Sequence, residues 1–170
     1  MRSSSGWTSE SGFVTDAFLT KQTGLDVGTY VTDRVRGKTG YLRTNESTAE
    51  VLQNFVTFDT NNGVKNGVKG LSGSSVTYAD YCFRRAPGFF DVVAYDGDAV
   101  IGREVPHNLG VAPEMMWVKS RNVAEQPWAV YHKDAGTGYL FLNTDEEIRN
   151  QAFAWNNTHP TASSFTVHSN

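Results

Sequence analysis

An all-β, antiparallel, sandwich-like fold with little helix is what this sequence predicts, and three observations carry the prediction. Runs rich in β-branched and aromatic residues alternate with turn chemistry from Phe13 onward. Only Glu50-Val51-Leu52-Gln53-Asn54-Phe55 and Glu146-Glu147-Ile148-Arg149-Asn150-Gln151 tolerate helix, so helical elements are expected to be minor. A hydrophobic content of 39% with 12% aromatics is enough to fill a core in a chain of 170 residues, which fits one all-β domain or two small ones.

In order, residues 1–12 are small and polar apart from Trp7 and read as a loose arm pinned by that indole. Strands are expected at Phe13 to Lys21, Thr29 to Val35 and Tyr41 to Thr44, the last entered through Gly37-Lys38-Thr39-Gly40. Asp59 to Ser75, rich in Gly, Asn and Ser, reads as a long connection with a strand at Val64 to Val68. Val76 to Phe83 is a further strand, and Arg84-Arg85-Ala86-Pro87-Gly88 a junction. Beyond it, Phe89-Phe90-Asp91-Val92-Val93-Ala94-Tyr95 reads as a strand, Asp96-Gly97-Asp98 as a tight turn and Ala99 to Val105 as its return. Pro106-His107-Asn108-Leu109-Gly110 then breaks the pattern.

Laid over itself at an offset of 98 residues, the chain brings Thr39-Gly40-Tyr41-Leu42 onto Thr137-Gly138-Tyr139-Leu140, and Gly12, Lys21 and Asn45 onto Gly110, Lys119 and Asn143. Seven identities over the thirty-four positions from Gly12 to Asn45 are few, but apolar and turn positions also coincide, with Tyr30 falling on Trp128. Two related tandem units follow. The first, residues 1–86 with the N-terminal arm, lacks a first strand; the second, residues 87–170, lacks a last one. Missing strands leave sheet edges that folded proteins cover. Three arrangements remain open: the halves complete each other, neighbouring subunits exchange strands, or the chain is a segment of a longer polypeptide.

Composition narrows function mainly by exclusion. Fifteen basic against eighteen acidic residues give a net charge of -3, and the longest basic run is Arg84-Arg85, so no phosphate-tracking footprint is expected and nucleic acid is not the predicted partner. No apolar stretch reaches eighteen residues, so membrane insertion is not expected. The lone Cys82 excludes an internal disulfide and reads as a buried, inert thiol.

Chemistry-bearing constellations are sparse. His107, His132, His159 and His168 show no close ligand spacing; His107 reads as a turn residue, His132 as outward-facing on its strand, and His159 and His168 as solvated. Ser72, in Gly70-Leu71-Ser72-Gly73-Ser74-Ser75, lacks the strand-to-helix context of a nucleophile elbow. No carboxylate pair suggests acid and base partners. No catalytic residue, metal or cofactor is therefore predicted. Trp117 and Trp128 read as core. Tyr131, Trp155, Asn156 and Asn157 are the candidate contacts for a glycan or another partner, because rings stack on sugars and amides bond their hydroxyls.

The chain resembles a family of repeated β-rich domains of unassigned function found in structural proteins of tailed bacteriophages, many from marine hosts. The resemblance rests on Val35-Arg36-Gly37, Tyr41-Leu42, Asn45, Thr57-Phe58-Asp59 and Tyr81-Cys82-Phe83-Arg84-Arg85-Ala86-Pro87. It continues through Phe89 to Tyr95, Pro106 to Gly110 with Pro113, Val118-Lys119, Trp128-Ala129-Val130-Tyr131-His132 and Tyr139-Leu140. The chain departs from it in the inserted Gly88 and in its abbreviated outer ends. The resemblance implies a non-enzymatic virion protein, a capsid decoration or a tail or fibre component, assembled in the host cytoplasm. It implies homo-oligomerisation and contacts with other virion proteins, and it supplies no catalytic residues. Residues 89–95 are then the candidate inter-subunit strand. The alternative is a carbohydrate-binding, host-recognition module of a tail fibre.

Overall fold

The computed structural model describes residues 8–24, 26–37, 40–66, 76–150 and 152–168. The arm around Trp7, the loop serine Ser72, the end of the expected strand at Val64 to Val68, and part of the Gly37 to Gly40 turn lie outside these residues. Among those described are thirteen strands and one short 3-10 turn, so the fold is all-β, and every strand ladder is antiparallel. The chain divides into two compact units: unit 1 holds residues 1–84 with 121–125, and unit 2 holds residues 85–120 with 126–170.

Unit 1 is a sheet packed on a sheet. Its strands are β1 (Thr8–Ser9), β2 (Ala17–Gln22), β3 (Tyr30–Asp33), β4 (Gly40–Arg43), β5 (Val51–Leu52), β6 (Val56–Thr57), β7 (Val64–Asn66) and β8 (Tyr78–Phe83). One sheet runs β5-β4-β3-β2-β8 and the other β1-β7-β6. The period of two in Ala17-Phe18-Leu19-Thr20 puts Phe18 and Thr20 on the inner face, where both are fully buried. Phe18 and Tyr41 from the larger sheet meet Val56 and Val64 from the smaller one, with Phe55 and Phe58 alongside. Tyr30, Tyr41 and Phe55 form an aromatic triangle with centroids 4.8 to 5.1 Å apart.

Unit 2 contains β9 (Arg103–Pro106), β10 (Met115–Val118), β11 (Ala129–His132), the 3-10 turn Lys133–Ala135, β12 (Leu140–Phe141) and β13 (Ser164–Val167). β10-β11-β12 make one sheet and β13-β9 another. Met116, Val118, Ala129 and Phe141 pack around the buried Tyr131, Tyr139 and Trp155.

The pairings of the two units can be compared directly. Tyr41 pairs with Val51, and Tyr139, 98 residues later, pairs with Arg149, which is 98 beyond Val51. Ala17 pairs with Asp33, but Met115, 98 beyond Ala17, pairs with His132, 99 beyond Asp33. The strand in the middle of unit 2 is therefore displaced by one residue, and Tyr30 falls on Ala129 rather than on Trp128. Gly40 and Gly138 match in environment as well: a Cβ on Gly40 would lie 2.8 Å from the Glu50 side chain, and one on Gly138 2.7 Å from that of Ile148.

Several expectations are corrected. Residues 50–55 are not helical: Val51–Leu52 pairs with β4, while residues 146–150 carry no helix and Arg149 bridges Tyr139. Among the described residues Phe89, Phe90, Asp91, Val92, Val93, Ala94 and Tyr95 form no ladder, their one bridge there being Ala86 to Phe90. The turn expected at Asp96-Gly97-Asp98 falls later, at Ile101-Gly102, next to Ala99 at φ 59 and with Gly102 at φ 76. Asp98 caps that bend by accepting the Val100 N–H at 3.1 Å.

Candidate functional site

The residues singled out for glycan contact are not presented together. Tyr131 and Trp155 are 2% and 1% exposed, so neither offers a ring face for stacking. The two rings meet edge-on at 6.0 Å, and the Tyr131 hydroxyl lies 3.0 Å from Nδ1 of the exposed His159. Burial pushes the Tyr131 phenol above its ordinary value. Asn156 and Asn157 follow Trp155 in left-handed backbone, φ 50 and 53, a conformation Asn tolerates. The Asn156 N–H closes a turn on Ala152 C=O at 2.8 Å, leaving Asn156 half-buried and Asn157 exposed. A cavity of about 90 Å³ borders Trp155, Tyr95, Arg103 and His168, with room for a few waters.

Trp128 is core, whereas Trp117 is 42% exposed and touches Trp128 edge-on at 6.5 Å. The histidines are dispersed. His107 is buried, with Nε2 3.1 Å from the Thr161 carbonyl and Nδ1 accepting the Leu109 N–H. His132 accepts the Asp134 N–H, and His168 stacks on Phe153. Among the described residues no group of three His, Cys, Asp or Glu side chains could hold a metal. Cys82 is half-buried, and burial raises its thiol pKa, so at neutral pH it is a protonated, weak nucleophile.

Unit 1 carries a charged cluster that local sequence patterns do not reveal. Arg36 donates to Asp33, to Glu50 Oε1 at 3.0 Å and to the Val31 carbonyl at 3.1 Å, and all three charged side chains are at most 8% exposed. Glu50 Oε2 also accepts from Arg121 Nε and Nη2 at 3.0 and 2.8 Å, and the Glu50 N–H donates to the Arg121 carbonyl. This balanced cluster fastens residues 121–125 to unit 1.

Unit 2 carries the features that could act on a partner. In β10, Lys133 N–H donates to Glu114 C=O, which fixes the alternation: Met116 and Val118 exchange bonds with β11, and the N–H and C=O of Met115 and Trp117 point away from it. Among the described residues nothing bonds to that outer edge, and the Met115 and Trp117 side chains are 54% and 42% exposed. Residues 91–95 are the second such feature. Their side chains hold to unit 2, for Asp91 accepts the Asn108 N–H at 2.8 Å and Tyr95 packs on Phe165 and under Arg103. Their backbone makes no backbone hydrogen bond within the described residues, and only the Val92 N–H is taken, by Asp91 Oδ1. Phe89, at their head, is 70% exposed.

The model of a protein family described as a domain of unknown function (DUF7483) matches residues 2–170. No curated protein and no solved structure matches the chain.

Proposed function

We propose, for a chain that belongs to the DUF7483 family of domains of unknown function, a non-enzymatic structural role in a bacteriophage virion, exerted through contacts between subunits. The observation that carries this reading lies in unit 2: among the described residues the edge of β10 with exposed Met115 and Trp117 is open, and exposed Phe89 precedes a segment without ladder partners. Open edges and contiguous apolar surface are what subunit interfaces bury. The two units are read as copies of one strand plan, in line with the matching pairings of Tyr41 with Val51 and Tyr139 with Arg149. The virion setting comes from the sequence resemblance, and its capsid, tail or fibre location is left to experiment.

Two measurements test the role. Light scattering of the purified chain is expected to give an oligomer at micromolar concentration, and particles produced with a tagged copy should carry it at a fixed stoichiometry. A monomer that is absent from purified particles would overturn the proposal. Carbohydrate recognition is weakened by the burial of Tyr131 and Trp155. Glycan-array binding that vanishes on Asn157→Ala would restore it.

A further inference from the structure

Resting on that assembly reading, we propose that the outer edge of β10 is a docking edge for residues 91–95 of a second copy of this chain, laid antiparallel as β8 lies on β2. Unit 1 supplies the template. There the N–H and C=O groups of Ala17, Leu19 and Lys21 face β8 and pair with Phe83, Tyr81 and Ala79. Met115, Trp117 and Lys119 stand 98 residues beyond these three, and the alternation in β10 turns Met115 and Trp117 toward the same, here vacant, side. What a strand of unit 1 receives from β8, β10 lacks within the described residues.

The occupant is argued from the chain itself. Tyr78-Ala79-Asp80-Tyr81-Cys82-Phe83 and Phe89-Phe90-Asp91-Val92-Val93-Ala94 share an aromatic residue two places before an aspartate, followed by residues that favour pleated, half-buried positions. Asp91 and Tyr95 anchor the segment by their side chains while the backbone of residues 91–95 is unladdered, so it can add a strand by giving up only the Val92 N–H bond to Asp91 Oδ1. Superposing Asp91 on Asp80 sets the register: Val92 lies opposite Trp117 and Ala94 opposite Met115. The contact joins two different surfaces, so it is heterologous and closes into a ring or propagates.

The register is tested by cross-linking in a Cys82→Ser background. Ala94→Cys and Met115→Cys chains are made separately, checked for native far-UV circular dichroism, mixed, and oxidised under mild conditions. Opposed residues of a hydrogen-bonded antiparallel pair have Cα atoms about 5.5 Å apart, within disulfide reach. The mixture is expected to give disulfide dimers at least about fivefold above either variant alone. Met115→Lys, which places a charge on the edge, should weaken association of the otherwise unmodified chain by about tenfold or more.

Cross-linking of Met115→Cys with itself, equal to that of the mixture, would mean that β10 pairs with β10, and would overturn the inference. So would a mixture without cross-links while the wild-type chain is oligomeric, a result that leaves the assembly reading standing. A wild-type chain that stays monomeric at high concentration would overturn this inference, and one that is also absent from purified particles would overturn both.

Discussion

Replacing Glu50 by alanine should destabilise unit 1 by about 3 kcal/mol, the lower end of what breaking a buried ion pair costs. The magnitude follows from what each partner keeps. Arg36, 6% exposed, loses its 3.0 Å contact with Glu50 but retains Asp33 and the Val31 carbonyl, so its charge is not left bare. Arg121 is 47% exposed and regains water, so its share is at most about 1 kcal/mol. The Glu50 N–H bond to the Arg121 carbonyl survives the substitution, so the measurement isolates the carboxylate. Glu50→Gln keeps the acceptor for Arg36 but can turn an amide N–H₂ toward Arg121, and should fall between alanine and wild type. Urea unfolding followed by far-UV circular dichroism gives the change in midpoint, and hydrogen exchange at the Val31 and Tyr41 amides assigns it to unit 1. A loss below about 1 kcal/mol for Glu50→Ala would refute the view that the cluster acts as a buried, coupled unit.

Further outcomes follow from single contacts. Gly40→Ala would place a Cβ 2.8 Å from a Glu50 side chain held by two arginines, and should cost more than about 1 kcal/mol; Gly138→Ala meets the exposed Asn150 and Ile148 side chains at 2.7 Å, which can turn away, and the Ala135 carbonyl at 3.1 Å, and should cost less. Paired thermal melts decide between them. Gly63→Ala, at φ 104 and with its Cβ 1.8 Å from the Ser9 carbonyl, should uncouple β1 from β7 and speed exchange at the Lys65 amide. Alkylation of Cys82 should be slow at pH 7 and rise only above the ordinary thiol range, because burial raises its pKa; rapid reaction at pH 7 would contradict this. The Arg43 hydrogen bond lowers the pKa of Glu46, so its small contribution is present above the ordinary carboxylate value of about 4.5 and is lost as pH falls through the lowered one. Glu46→Gln should therefore cost a few tenths of a kcal/mol at pH 7 and change little below the lowered pKa, where the wild-type carboxyl is itself protonated.

How much was legible in the sequence depended on how local the deciding interaction is. The alternation around Phe18 and the break at Pro106 to Gly110 are short-range signals, and β2 and the end of β9 are where they pointed. The segment from Phe89 to Tyr95 has the composition of a strand, but a ladder needs an adjacent edge, and composition reports only suitability for one. Trp155 was not placeable from its irregular surroundings; two consecutive left-handed asparagines turn the chain after it, and the Asn-Asn pair was the available signal. The Arg36–Glu50–Arg121 cluster was invisible because its members lie up to 85 positions apart, and Glu50 read as part of a helix-tolerant run.

Residues 121–125 count with unit 1 although they connect β10 to β11. The two units are thus interleaved along the polypeptide rather than consecutive, and no single cut yields both intact. A nick in the exposed Pro87-Gly88-Phe89 stretch would leave residues 121–125, whose Arg121 bonds Glu50, on the C-terminal piece and the rest of unit 1 on the other. Expression of residues 85–170 alone would leave the β10 to β11 loop without the carboxylate that anchors it. Excision sites and fusion points should therefore be chosen by this thread, and not by the junction at Arg84-Arg85.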